Sequence, residues 1–420
     1  MNVRPSPPPR SARPQAPQYD DFGFLIGHHL TPTLGFDMNS GEDDYIRMWR
    51  EFINYDWPLQ KTATLVKMIE SGVPHQFRGT VWKRLAKMGS HRKPEHYPET
   101  YFEVLSAVGD KTKASQQIEL DLTRTFPNHR MFLGDNSYRS LLKRVLVAYS
   151  LHNHAVGYCQ GMSNCAAVLL MFFPDAEDVF WLFVSIIDYK LDHHFEPGLR
   201  GMTDDAAIFV KLFQKTMPKL YKHLEAAGIE PLMYLTPWWL QLFTNLPLWS
   251  ATLYLWDLYF LHGTTALFIG SLSILYTCQN LLLQAVGMQE IIPILLSPPL
   301  HCIEPKCLAA AAADLHVYKL VKQYRSNRSR EQEATVRSEA LTRLMKKDAQ
   351  DMKRGRPALL PPIVTKYKTL RSVFKRDSEE ERQKLERRDT HVALEEFLEK
   401  RLLHLPGLQM SRPRRTTDIV

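Results

Sequence analysis

The sequence predicts an all-α body, and three observations carry that expectation. Ile208, Phe209, Leu212, Phe213, Met217, Leu220, Tyr221 and Leu224 recur at three- and four-residue steps, the spacing that lines one face of a helix. Val179, Phe180, Phe183, Ile186 and Ile187 repeat the pattern just upstream. No alternating apolar–polar series reads as a strand, and no segment repeats elsewhere in the chain. Breaks fall where Pro and Gly cluster, at Gly72-Val73-Pro74, Phe173-Pro174, Glu196-Pro197-Gly198, Leu246-Pro247 and Ser297-Pro298-Pro299.

Along the 420 residues, three stretches differ in composition. Residues 1–40 form a Pro/Arg-rich stretch expected to be a disordered tail, with Pro5, Pro7, Pro8, Pro9, Pro14 and Pro17. Within it, Pro5-Ser6-Pro7-Pro8-Pro9-Arg10 has the PxxPxR form that lies as polyproline II in the aromatic groove of an SH3-type partner. Residues 41–325 carry helical signals almost throughout. Residues 326–420 are a charged extension, helical or disordered, broken by Pro357–Pro362.

The formal charge is +8, from 53 Lys and Arg against 45 Asp and Glu. Its distribution decides what it means. Residues 1–18 carry +3, residues 322–420 carry +10, and the span between them carries −5. A nucleic-acid-binding body needs clustered cations on the folded face, so nucleic acid is not expected as a partner. The basic ends are compatible with peripheral contact with acidic membrane.

The longest apolar run, Leu258–Leu283, is interrupted by His262, Gly263, Thr264 and Thr265 and again by Gln279 and Asn280. A membrane span needs about 20 consecutive apolar residues, so two buried helices joined near Gly263 are expected instead. Cys159, Cys165, Cys278, Cys302 and Cys307 are scattered and form no CxxC pair, which fits a reducing, cytoplasmic compartment. Cys302 and Cys307 lie beside His301, but a fourth zinc ligand at suitable spacing is missing, so buried thiols are expected.

Motifs for nucleotide binding of the chain's own, GxxxxGK[ST] and GxGxxG, are absent, as are HExxH and GxSxG. Three other segments stand out: Gly72 to Trp82 with Arg78; Ile118-Glu119-Leu120-Asp121-Leu122-Thr123-Arg124-Thr125-Phe126-Pro127; and Gly157-Tyr158-Cys159-Gln160-Gly161-Met162-Ser163. Taken singly, each reads as ordinary structure: Trp82 as core, Asp121 and Arg124 as an i,i+3 helix pair, Tyr158 and Gln160 as loop residues.

In this order and spacing, the RxxxW-like segment at Arg78–Trp82, IxxDxxR at Ile118–Arg124 and YxQ at Tyr158–Gln160 resemble the TBC-domain family of Rab GTPase-activating proteins. Trp239, Phe243, Pro247, the Trp256-Asp257 pair and Gly263 support the resemblance, which covers roughly 69–324. Arg124-Thr125-Phe126, the Gly157–Ser163 run and Leu169-Leu170-Met171 look closest to the RN-tre-like subgroup. The resemblance implies a multi-helix TBC-type fold of two helical lobes.

It also implies a Rab-family small GTPase as partner, with Arg124 as an arginine finger and Gln160 as a glutamine finger inserted in trans. Asp121 would hold the Arg124 guanidinium, and Tyr158 and Gly161 would set the loop that presents Gln160. Arg78, Trp82, Ile118, Trp256 and Asp257 are expected to be architectural. No cofactor of the chain's own is implied; GTP and Mg belong to the partner. The family also implies duty at cytoplasmic faces of endosomal, Golgi or vesicle membranes. A domain that binds the GTPase without accelerating hydrolysis is the alternative. Tyr254-Leu255, where the family often has Arg-Ile or Arg-Leu, and Thr265 and Ile269 in place of basic residues depart from the pattern.

Overall fold

The computed structural model describes residues 18–26, 42–54, 62–88, 97–109, 112–133, 137–191, 194–196 and 198–324. The extension from 326 and the Pro5–Arg10 segment lie outside these, as does Pro197 of one expected break. The described residues are helical, with isolated bridges Tyr19–Leu25 and Phe24–His129 in place of any strand among them.

α1 (Glu42–Asn54) and α2 (Ala63–Glu70) lead into a 3₁₀ turn at His75–Phe77 and α3 (Arg78–Met88). Then come α4 (Tyr101–Val108), α5 (Lys113–Arg124), α6 (Ser137–His152), α7 (Met162–Phe172) and α8 (Ala176–Val184). The last continues as a π-helical turn, Ser185–Lys190. Around α6 as hub pack α4, α5, α7 and α8.

α9 (Arg200–Thr216) and α10 (Pro218–Ala226) divide at Pro218, which has no N–H to continue the first helix but suits the opening turn of the second. The apolar series from Ile208 to Leu224 therefore spans two helices. α11 (Leu232–Leu240), α12 (Trp249–His262), α13 (Thr265–Thr277), α14 (Gln279–Gln284), α15 (Gly287–Leu296) and α16 (Pro305–Asp314) complete the named helices. α12 is the hub of this second half, against α2, α3, α13 and α16.

Both α12 and α13 are apolar nearly all round, the mark of a helix enclosed on every side. They account for the Leu258–Leu283 run: α12 ends at His262, Gly263 takes φ +62° as its cap, and α13 begins two residues later. Among the described residues no helix is long and apolar enough to cross a membrane.

One expectation is corrected. Residues 18–26 fall in the stretch read as a disordered tail, yet they pack on the body. Phe24 is buried and meets Phe126, His129 and Trp249 edge-on. The proline count of residues 1–17 masked two aromatic residues, Phe22 and Phe24, flanking a glycine that turns the chain.

Asp257, on α12, is wholly buried and pins the α2–α3 corner. Its carboxylate accepts from Trp82 Nε1 at 2.8 Å, from Arg78 Nε at 3.1 and 3.2 Å, and from the Val73 N–H at 3.3 Å. Trp82 stacks on Phe260 and lies against Trp256 and Phe172. Arg78, Trp82 and Trp256 thus form one architectural cluster around Asp257. Burial pushes this carboxyl up to about 6, while Arg78, Trp82 and Val73 pull the other way.

Because that value exceeds the 3.8 of an ordinary aspartate, Asp257 binds more proton folded than unfolded between about pH 4 and 6. Its contribution to stability therefore falls as pH rises through that window. Arg78→Leu should leave the carboxylate buried without its cation, at a loss of about 3–5 kcal/mol near neutrality. Urea unfolding of the variant should show that deficit shrinking as pH drops toward 5, where Asp257 takes up a proton. A deficit independent of pH would contradict the assignment.

Candidate functional site

Arg124 is the last residue of α5, and its position follows from how that helix is faced. Ser115, Ile118, Asp121 and Leu122 are buried toward α6 and α7, so the next turn carries Thr123 and Arg124 outward. Ile118 is fully buried and anchors this inner face. The Arg124 side chain is 55% exposed while its partner Asp121 is 1% exposed. A buried carboxylate therefore holds a surface guanidinium, by a 2.5 Å contact from Nη2 to Oδ1.

Asp121 has further partners. Its Oδ2 accepts from the Tyr158 hydroxyl at 2.6 Å, and Oδ1 accepts from Gln117 Nε2 at 3.3 Å. A carboxylate this buried is tolerable only when its lone pairs are occupied. Those same bonds fix its rotamer, which leaves Arg124 a single stationary counter-charge. Burial drives the Tyr158 hydroxyl well above the ordinary tyrosine value, with the Asp121 bond adding to it, so Tyr158 stays a proton donor.

The backbone after the helix is held as firmly. Thr125 is buried; its hydroxyl donates to the Asp121 carbonyl at 2.7 Å and lies 2.9 Å from the Ser163 hydroxyl on α7. Phe126 adopts φ +42°, a left-handed conformation that a bulky aromatic takes only when its surroundings require it. Phe132 and Trp249 supply part of those surroundings.

Gln160 is exposed at the end of the loop that enters α7. Tyr158 ties one side of that loop to Asp121. Gly161 shapes the other: it caps α7 at φ +102°, and a Cβ there would meet the Leu240 carbonyl oxygen at 3.0 Å. Glycine is therefore required twice over, by conformation and by space. The backbone it approaches is itself braced. Trp256 Nε1 donates to the Leu242 carbonyl at 2.9 Å, and Asn164 Nδ2 donates to Gln241 Oε1 at 3.0 Å and to Thr244 Oγ1 at 3.2 Å.

The structure thus brings Asp121, Arg124, Tyr158, Gly161 and the Gln160 loop together, while Arg78 and Trp82 of α3 gather instead around Asp257 of α12. Thr125, Ser163, Asn164, Gln241 and Trp249 belong to the site's support and were not singled out from sequence. Thr125 and Ser163 lie inside the two quoted motifs, the one signal that pointed their way. Cys159 does not read as a nucleophile: burial raises its thiol, which keeps it protonated. Among the described residues no group of His, Cys, Asp and Glu is placed to hold a metal ion, and all five cysteines are free thiols.

An exposed guanidinium at the end of α5 and an exposed neutral amide on the loop tied to α5 through Tyr158, both on braced backbone, can meet a polyanion from outside and hold a polar molecule. The Rab-GTPase-TBC domain family matches residues 75–283, the segment that contains this arrangement. The chain is 34% identical over 265 residues to TBC1 domain family member whacked of Drosophila melanogaster, covering 61% of this chain and 72% of that one. It is 30% identical over 312 residues to TBC1 domain family member 10B of Mus musculus, covering 71% of this chain and 38% of the relative.

Carabin of Mus musculus is 33% identical over 265 residues, covering 60% of this chain and 56% of its own. The chain therefore spans less than two thirds of two of these three relatives. Among solved structures, the Chlamydomonas flagellar RabGAP TBC domain matches with a TM-score of 0.58 at 26% identity, covering 71% of this chain and 99% of that one. The Ypt/Rab-GAP domain of Gyp1p matches in fold with a TM-score of 0.54 at 16% identity, covering 67% and 99%. From motif, fold and relatives together, the chain belongs to the Rab-GTPase-TBC domain family.

Proposed function

We propose that this protein accelerates GTP hydrolysis by a Rab-type small GTPase, with Arg124 and Gln160 entering the GTPase's nucleotide site in trans. The observation that carries this reading is the pairing of an exposed Arg124 with a buried, fully engaged Asp121. Hydrolysis spreads negative charge over the γ-phosphoryl oxygens and the β–γ bridge, and leaves little covalent work for protein. A delocalised cation with forked donors stabilises that charge, provided it is already aimed when the GTPase arrives. Gln160 both donates and accepts, so it can hold the attacking water in line without adding charge.

The chain supplies no nucleotide site of its own in this scheme. GTP and its Mg ion stay with the partner, and this protein adds the two side chains. The RN-tre-like subgroup is the finer placement we infer within the family, supported by Arg124-Thr125-Phe126, Gly157–Ser163 and Leu169–Met171. Work at the cytoplasmic faces of endosomal, Golgi or vesicle membranes, with the basic ends meeting acidic lipid, belongs to the same proposal. So does an SH3-type partner for Pro5–Arg10.

Single-turnover hydrolysis across a panel of GTP-loaded Rabs tests the reading. At least one should respond, and Arg124→Ala should reduce that response about 10³-fold, the order typical of a lost finger. Gln160→Ala should be similarly severe, with the melting temperature unchanged in both. Binding of several Rabs without faster hydrolysis would establish the scaffold alternative instead.

Tyr158→Phe removes one charge-assisted bond to Asp121. Stimulated turnover should fall about tenfold, or about 1.4 kcal/mol, close to the lower end of the roughly 1.5–3 kcal/mol such a bond contributes. Asp121→Asn should cost more, because it removes the charge that steadies Arg124. In both, the Rab concentration for half-maximal effect should hold steady; a rise there with turnover intact would mean that Asp121 and Tyr158 serve binding rather than aim.

A further inference from the structure

We propose that residues 20–25 are a positioning strap for Arg124, acting through the loop 126–130, with Phe24 as the wedge and Gly23 as the point of closest approach. This rests on the reading of Arg124 as the finger.

The strap is closed by hydrogen bonds of its own. Asp20 Oδ1 accepts from the N–H groups of Phe22 at 3.0 Å and Phe24 at 2.8 Å, and the backbone closes on itself between Asp20 and Phe24. Such an Asx-type turn presents its two aromatics in fixed directions. Phe22 turns toward His75, which in turn contacts Phe172 at the end of α7. Phe24 goes inward, 3% exposed, among Phe126, His129 and Trp249, with ring centroids at 6.1, 4.8 and 5.1 Å.

Three bonds then lock the strap to the loop. Leu25 N–H donates to the Asn128 carbonyl at 2.9 Å, Arg130 N–H donates to the Gly23 carbonyl at 2.9 Å, and His129 Nε2 lies 2.9 Å from the Phe22 carbonyl. His129 Nδ1 lies 3.3 Å from the Met131 N–H, so the ring accepts there and donates at Nε2. Burial lowers its pKa to about 4, which keeps this one tautomer in place at neutral pH.

The strap's target is what gives these contacts a consequence for the finger. Phe126 is two residues from Arg124 and sits at φ +42°. A strained residue stays put only while its neighbours over-determine it. Among the described residues, Phe24 is one of three aromatic neighbours of Phe126, with Phe132 and Trp249, and it arrives from a segment outside the helices that bear the finger. Removing it frees Phe126 to relax toward ordinary dihedrals, and the last turn of α5 moves with it. Asp121 fixes one end of the guanidinium, and the strap fixes the backbone that carries it.

Gly23→Ala and Phe24→Ala in the full chain test this. At Gly23, φ is +96° and a Cβ would lie 2.8 Å from His129 Nε2 and 3.0 Å from Arg130 Nε, so the substitution lifts the strap without deleting it. The first readout needs no partner: the Arg124 Nε–H resonance, assigned by its loss in Arg124→Lys, and hydrogen exchange at residues 125–130. Both variants should shift that resonance and speed exchange across the loop by tenfold or more, with α6 and α12 amides unchanged. An unmoved Arg124 resonance with unchanged loop exchange overturns the inference, whatever any GTPase assay gives.

The second readout is the kcat against KM split on a responding Rab. Stimulated kcat should fall about tenfold with KM within twofold, and Phe24→Leu, which restores apolar volume, should recover most of it. A lower melting temperature with kcat intact would make the strap a stabilising element only, and would also overturn the inference. If the unmodified chain accelerates no Rab, the functional reading falls, while the Arg124 resonance still decides whether the strap holds that side chain.

Discussion

The buried carboxylate of Asp257 is the constraint on which the rest depends. It fixes α12 against the α2–α3 corner through Arg78, Trp82 and Val73, and α12 in turn braces both halves of the candidate site. At its first residue, Trp249 backs Phe126, just beyond Arg124. Near its middle, Trp256 holds the Leu242 carbonyl, which steadies the backbone packed against Gly161, the residue that follows Gln160. Two exposed side chains from different elements are thereby referred to one buried helix. Their spacing is a property of the core rather than of the loops that carry them.

Asp121 and Asp257 show the same side chain put to two uses. Asp257 is enclosed by partners that are themselves buried, and burial raises its carboxyl to about 6 against their pull. It joins elements. Asp121 is equally buried, but one of its partners reaches solvent. A surface ion pair in which both ends are free to move contributes little, because the entropy of holding two long side chains offsets the attraction. Here one end is already immobile, so only Arg124 loses freedom, and it is preorganised at a correspondingly small cost.

Much of this was legible in the sequence, and the limits have physical causes. Helix faces were readable because burial imposes a periodicity, as in Val179–Ile187, and Gly263 was readable as a break because its φ suits glycine. IxxDxxR and YxQ drew attention to Arg124, Gln160 and Asp121, and the Asp121–Arg124 contact was readable because one helical turn places i and i+3 side by side. The Tyr158–Asp121 bond was not readable: it joins residues 37 apart, and only the packing of α5 beside α7 creates it. Nor was the bracing by Trp256 of a carbonyl 14 residues earlier. The 18–26 strap was obscured by the prolines before it, because composition averages over a window while a single aromatic residue is enough to anchor a turn.

The charge distribution completes the argument. The two ends of the chain together carry +13 and the span between them −5, for a net of +8. On a body of that sign, a general attraction to phosphate is weak, so recognition of a polyanion must come from placement rather than from field strength. A single exposed arginine, held by a buried aspartate below it and by a packed aromatic turn beyond it, meets that requirement. Under the proposed function it concentrates cationic character at one point and leaves the surrounding surface free to select the protein that carries the phosphate.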